Sequence, residues 1–260
     1  MEITWFGNAS ILIKAAGETI LFDPFVQLRG GENPNSLADF AQAPYICITH
    51  GHLDHMMEVP EFLDRAGELE ATVYCGSVTA RTLEEQGVDG SNAVQVGPGM
   101  SWNIGDVTLQ VLKGSHSRGR NRWFWKALTD GRLFAHFWNI LFWTSAEKQF
   151  PEGDETLIYE LLAEGKRVQV LGSLALDPGE AYEPGADLLI LPLEATTRPE
   201  EKAMAIVEQL KPKAILLDHF DDAYPPVSRS VDTGRFRKLM EEKYPQIVVV
   251  KTQVGTTVIL

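Results

Sequence analysis

The sequence predicts an α/β (α+β) fold: two mixed sheets packed face to face with helices outside, a four-layer αββα sandwich. Three observations predict it. Short β-rich runs come first in each half of the chain and helical stretches later. Ligand-type side chains recur just beyond strand ends. A chain of 260 residues, 44% of them hydrophobic, can also bury one sizeable core.

The opening runs Ile3 to Phe6, Ile11 to Ile13 and Thr19 to Phe22 are separated by Gly and Asn, as in a meander of paired strands. A loop rich in Gly, Asn and Pro spans Arg29 to Ser36. Tyr45 to Thr49 reads as a buried strand. Val59 to Ala66 and Ser77 to Gln86 have helical character and flank the strand Ala71 to Cys75. Val94 to Val96 and Val107 to Leu112 are further strands. In the second half, Thr156 to Ala163 is expected to be helical, followed by strands at Val168 to Leu171 and Leu188 to Leu191. Pro199, at a favourable early position, starts a helix through Leu210. Ala214 to Leu217 is a strand, Arg235 to Glu242 a helix, and Ile247 to Val250 and Thr257 to Leu260 closing strands.

Residues 118–150 differ in character. They carry Trp123, Phe124, Trp125, Phe134, Phe137 and Trp138, and also Arg118, Arg120 and Arg122. They read as an insertion or lid within a single domain spanning 1–260.

The formal net charge of -13 repels phosphate backbones, so no nucleic acid is expected as a partner. No run approaches the length of a spanning helix, so no membrane span is expected. The N-terminus MEITWFGNASILIK lacks the pattern of a secretory signal. Cys47 and Cys75 sit in apolar strand-like runs, as buried reduced thiols do, which suits a cytoplasmic protein. Whether the chain forms a homo-oligomer is left open.

The chemistry concentrates at HGHLDH. His50, His52, Asp54 and His55 follow directly on a buried strand, where ligands converge in α/β proteins. In extended backbone His50 and His52 point to one side, and a turn brings Asp54 and His55 alongside. Imidazole and carboxylate together suit zinc and comparable divalent ions. His116 and His219 each stand just beyond another strand, so five of the six histidines share one layout. The sixth, His136, reads as a packing or substrate contact.

The segments THGHLDH, GSHS and LDHF resemble the HxHxDH signature and later histidines of the metallo-β-lactamase superfamily. ILFDP at 20–24 matches a common early strand end. The likeness extends to bacterial metal-dependent hydrolases similar to ascorbate-6-phosphate lactonase. It implies a metallo-β-lactamase-like fold and one or two divalent ions, zinc first, with manganese or iron as alternatives. It assigns His50, His52 and His116 to one metal and Asp54, His55 and His219 to a second. One position departs from the pattern: Ser173 stands in LGSLALDP where an aspartate bridging both metals is expected. Asp177 is a candidate replacement. Asp218, Asp221 and Asp222 are others, or serve as partners that orient histidines.

The expected activity is hydrolysis of a small ester, lactone or phosphodiester by a metal-activated water, with Asp54 orienting the water, or acting as base if the second metal is absent. Asp23 either supports the ligand loop or is a plain turn aspartate. Arg118, Arg120 and Arg122 either clamp an anionic group or form a solvated loop. The alternatives are a non-catalytic metal-binding or sensing protein and a nuclease of the same superfamily.

Overall fold

The computed structural model describes residues 1–40, 43–66, 71–117 and 135–260. Fourteen strands among them form two seven-stranded sheets. The first has the order β14(Thr257–Ile259), β1(Glu2–Trp5), β2(Ile11–Ala15), β3(Glu18–Phe22), β4(Tyr45–Cys47), β5(Thr72–Cys75), β6(Ala93–Gln95). The second runs β13(Val248–Val250), β12(Ala214–Asp218), β11(Leu188–Pro192), β10(Lys166–Leu171), β9(Leu157–Ala163), β8(Val107–Lys113), β7(Ser101–Ile104).

Both sheets follow one pairing rule. From β14 to β3 the neighbours are antiparallel, and from β3 to β6 they are parallel. From β7 to β10 the neighbours are likewise antiparallel, and from β10 to β13 parallel. Parallel neighbours require crossover connections, and these carry the helices. The helices Val59–Ala66 and Ser77–Glu85 alternate with strands of the first sheet, and Pro199–Leu210 and Gly234–Lys243 with strands of the second.

The layering can be read residue by residue along the strands. Ile11, Ile13, Ile20, Phe22 and Cys47 belong to the cluster that also holds Leu109, Val111, Tyr159 and Val170 of the second sheet. The intervening residues Leu12, Leu21, Ile46 and Ile48 belong to a different cluster with Val59, Phe62, Ala80 and Leu83 of the helices. Period-two alternation therefore sends one face of the first sheet to its partner and the other to the helices. On the second sheet Ile206, Val207, Phe236 and Met240 of the helices join the strands. Each fully buried Leu or Ile here contributes roughly 1.5–3 kcal/mol.

The segment Thr156 to Ala163 corrects the helical expectation. Leu157–Ala163 is a central strand, paired on both sides and buried at nearly every residue. Leu, Glu and Ala favour helix locally, but two flanking strands outweigh that preference. Glu160, buried in this strand, is held by Arg167 Nη1 at 3.3 Å and Gln169 Nε2 at 2.6 Å, both on β10. The strand Ser101–Ile104 has no clear sequence signal, because SWNI is short and half polar.

Within 118–150, Arg118, Arg120, Arg122, Trp123, Phe124, Trp125 and Phe134 lie outside the described residues. Phe137–Ala146 forms a helix whose Trp143 is buried while Trp138 is exposed. Cys47 and Cys75 are free and buried. No helix among the described residues is long and apolar enough to cross a membrane.

Candidate metal centre

The six predicted ligands come together at one edge of the two sheets and line a single cavity of about 220 Å³. They fall into two triads, His50, His52 and His116, and Asp54, His55 and His219, each with ligand atoms within 4.8 Å of one another. β4 leads to His50, which sits at a bend, and then to His52, whose backbone is extended. The short helix Leu53–Met56 then turns Asp54 and His55 into the second group. His116 follows the end of β8 and His219 the end of β12.

In the first triad His50 Nε2 and His52 Nδ1 are 3.0 Å apart. The ring centroids of His50 and His52 stand 5.1 and 4.6 Å from that of His116. Two nitrogens bound to one tetrahedral zinc at about 2.0–2.1 Å lie about 3.3 Å apart, so this spacing suits a shared cation. Burial, then the neighbouring imidazoles, pushes His50 well below its ordinary range. Burial likewise lowers His52 to about 4, against the pull of Asp54. Neutral rings offer their lone pairs, which is the state a metal ligand needs.

The second triad is charged. Burial opposes the ionised form of Asp54, but His55, a hydrogen bond from His219 and His52 together hold its carboxyl far below the usual range. Burial also disfavours a charged His219, yet Asp54 outweighs it and pushes the ring up to about 9. His219 Nε2 is 3.4 Å from Asp54 Oδ2, and His55 Nε2 is 3.9 Å from the same oxygen.

Asp23 braces both triads. Its Oδ1 accepts the Thr49 N–H at 2.8 Å and its Oδ2 the Thr49 hydroxyl at 2.6 Å. With its proton committed to Asp23, Thr49 Oγ1 is the acceptor for His50 Nδ1 at 3.1 Å, which leaves Nε2 bare toward the cavity. Asp23 Oδ2 also stands 2.9 Å from His55 Nδ1, off the line of a straight hydrogen bond. Of the two sequence readings of Asp23, support or plain turn, these contacts favour support. Gly172 permits the approach of β10, since a Cβ there would collide with the Thr49 side chain.

Backbone strain gathers at the same place. Asp23 has φ 45°, Asn8 φ 48° and His219 φ 52°, a region that costs non-glycine residues about 1–3 kcal/mol. Asn8 links the strained segments. Its carbonyl accepts the His219 N–H at 2.8 Å, its Nδ2 donates to the Asp54 carbonyl at 2.8 Å, and its own N–H donates to Asp221 at 3.0 Å.

The acidic candidates around Ser173 separate cleanly. Asp177 turns away and pairs with Lys113 Nζ at 2.9 Å, outside the cavity lining. Asp218 is buried beneath the site, with its carboxyl raised by burial. Asp221 lines the cavity but is taken up by Asn8, by Gln27 Nε2 at 2.5 Å and by Asn33 Nδ2 at 2.9 Å. Asp222 accepts the Ser228 hydroxyl at 2.6 Å. His136 lies outside the lining, with its ring so close to Gly30 that a Cβ there would strike it.

Among the lining residues that went unnoticed in the sequence, Glu194 and Tyr224 stand nearest the chemistry. Glu194 follows β11, and its Oε1 accepts from the Ser117 hydroxyl, from Ser173 Oγ at 3.0 Å and from the Leu174 N–H at 3.1 Å. Tyr224 stacks on Trp143 with centroids 4.2 Å apart and planes at 8°, and burial, then the charge of Asp54, pushes its hydroxyl well above the usual range. The only sequence signal for Glu194 was its place just after a strand.

Two mixed sheets with a histidine and aspartate cluster at their shared edge define the metallo-β-lactamase fold of metal-dependent hydrolases. A family model described as a beta-lactamase superfamily domain matches residues 2–219, and the chain belongs to that family. It is 26% identical over 257 residues to a UPF0173 metal-dependent hydrolase of Methanopyrus kandleri, covering 98% of each chain. It is 26% identical over 255 residues to one of Lysinibacillus sphaericus, covering 95% of this chain and 96% of the relative. Igni18, a metallo hydrolase of Ignicoccus hospitalis, shares the fold with a TM-score of 0.67 at 17% identity, over 99% of this chain and 97% of that one. The protein is a metal-dependent hydrolase.

Proposed function

We propose that the protein hydrolyses a small ester, lactone or phosphodiester at a site loaded with two divalent ions, zinc first. The observation that carries this reading is the pairing of a neutral all-nitrogen triad with a charged triad in one small cavity. His50, His52 and His116 would hold one ion, and Asp54, His55 and His219 the other. A divalent ion so bound supplies a coordinated water acidic enough to act as nucleophile near neutral pH, and a Lewis acid for the developing oxyanion.

The chain's own groups set the geometry. Asp54 keeps its charge deep in the cavity and orients the attacking water. Tyr224 lines the cavity beside Asp54. Trp143, Phe150, Tyr224 and Val227 give the cavity an apolar wall for the body of the substrate, and Arg229 adds a cation to that wall. The volume of about 220 Å³ supports a small molecule over a polymer.

The test is a panel of lactones, simple esters and phosphodiesters, with single-stranded RNA included, assayed on zinc- or manganese-loaded protein and after chelation. Turnover of a small substrate that chelation abolishes is the expected result. Cleavage of RNA alone would make the protein a nuclease. Bound metal with no turnover would make it a binding or sensing protein.

A further inference from the structure

Two divalent ions bring four positive charges into the cavity, yet of the six triad side chains only Asp54 carries a negative one. Buried cations require compensating anions close by. Ser173 is neutral, Asp177 is turned away, Asp218 is buried below, and Asp23 and Asp221 each have both oxygens engaged by other donors. Two further carboxylates line the cavity, Glu147 and Glu194. Glu147 is exposed to solvent. Glu194 is the one held from within.

We infer that Glu194 is a seventh ligand, a carboxylate shared by the two metal positions. The inference rests on the two-metal reading above. Its geometry is that of a held ligand: Ser117, Ser173 and the Leu174 N–H all converge on Oε1, while no described hydrogen bond uses Oε2. Ser117 is the neighbour of His116, and the Glu194 side chain lines the same cavity as both triads. A carboxylate has two oxygens and can serve two ions at once. Ser173 thereby becomes a donor that positions Glu194, and the carboxylate reaches the site from β11 rather than β10.

The test is titration of metal-stripped protein with Zn²⁺ by calorimetry, with metal counted by mass spectrometry. Glu194→Gln keeps an oxygen for the three donors and removes the charge. The wild type should take up two Zn²⁺. In Glu194→Gln the second binding step should weaken by more than about 100-fold, beyond the roughly 10–100-fold that loss of an outer partner costs, and the first by less. Adding Ser173→Asp to that variant should return the second step to within about tenfold of wild type. Glu194→Asp, which keeps the charge but withdraws it, should fall between. If Glu194→Gln misfolds, judged by circular dichroism, the Glu194→Asp titration decides, and an unchanged second step there overturns the inference. An unchanged second step in Glu194→Gln overturns it, as does equal weakening of both steps or a wild type saturating at one Zn²⁺. Failure of the hydrolase reading would appear separately, as normal metal counts with no turnover on the substrate panel.

Discussion

His50, His52 and His116 are three nitrogens kept neutral by burial, whereas Asp54, His55 and His219 hold a carboxylate that draws a proton onto His219. The two groups are neighbours in sequence as well as space, for Leu53 alone separates His52 from Asp54. The contrast shows that local environment, not residue type, sets the state of a histidine. Surrounded by imidazoles, a buried ring sheds its proton. Against a buried carboxylate, it keeps one.

The largest expected effect is at His52. His52→Ala should strip the first metal and lower kcat/KM by roughly 10³-fold or more, since a metal contributes several kcal/mol of transition-state stabilisation. The side chain is only half-buried, so the fold should persist by circular dichroism. Full metal content in that variant would break the ligand assignment.

pH should separate the triads next. His52 sits at about 4, so protons do not compete for it above about pH 5. His219 sits at about 9, so a metal must displace its proton. The second Zn²⁺ step should strengthen about tenfold per pH unit up to about 9, while the first stays nearly flat. Zn²⁺ titrations across that range check it, and equal slopes would erase the distinction.

Stability of the metal-stripped protein follows from the same values. His219 is raised in the fold, so its contribution is full below about 6.5 and lost as pH climbs toward 9. His52 is lowered, so its neutral state is increasingly opposed as pH falls from about 6.5 toward 4. Thermal melts should therefore show the two groups together favouring a maximum near pH 6.5, and a monotonic profile would contradict their assignment.

Asp23 joins the two triads rather than distinguishing them. Asp23→Asn places an amide against the Thr49 hydroxyl and His55 Nδ1, and should weaken both Zn²⁺ steps by about 10–100-fold. An effect confined to one step would show that only one of its two contacts matters. The smallest effect lies behind the ligand loop, not in it. Tyr159 donates to the Ile48 and Tyr74 carbonyls at 3.1 and 3.0 Å, so Tyr159→Phe should cost about 1 kcal/mol in denaturant melts and leave metal uptake unchanged.

Much of the centre was legible in the sequence, because HGHLDH places its ligands by local geometry. A bend after a strand, followed by one helical turn, gathers four ligand-type side chains within six residues. His116 and His219 were legible from their places beyond apolar runs that read as strands. The segment Leu157–Ala163 was not, since its residues suit a helix and only β8 and β10 make it a strand.

The sequence alone indicated the layered fold class, the candidate ligands and the order in which strands deliver them, all of which are short-range properties of the chain. Tertiary structure alone decided which acidic residues face the cavity. Asp177 is four residues from Ser173 and turns to Lys113, whereas Glu194 is twenty-one residues away and accepts the Ser173 hydroxyl. Asn8 meets Asp221 across 213 residues. Such contacts depend on how two sheets with the same pairing rule are set against each other, and no local pattern records that.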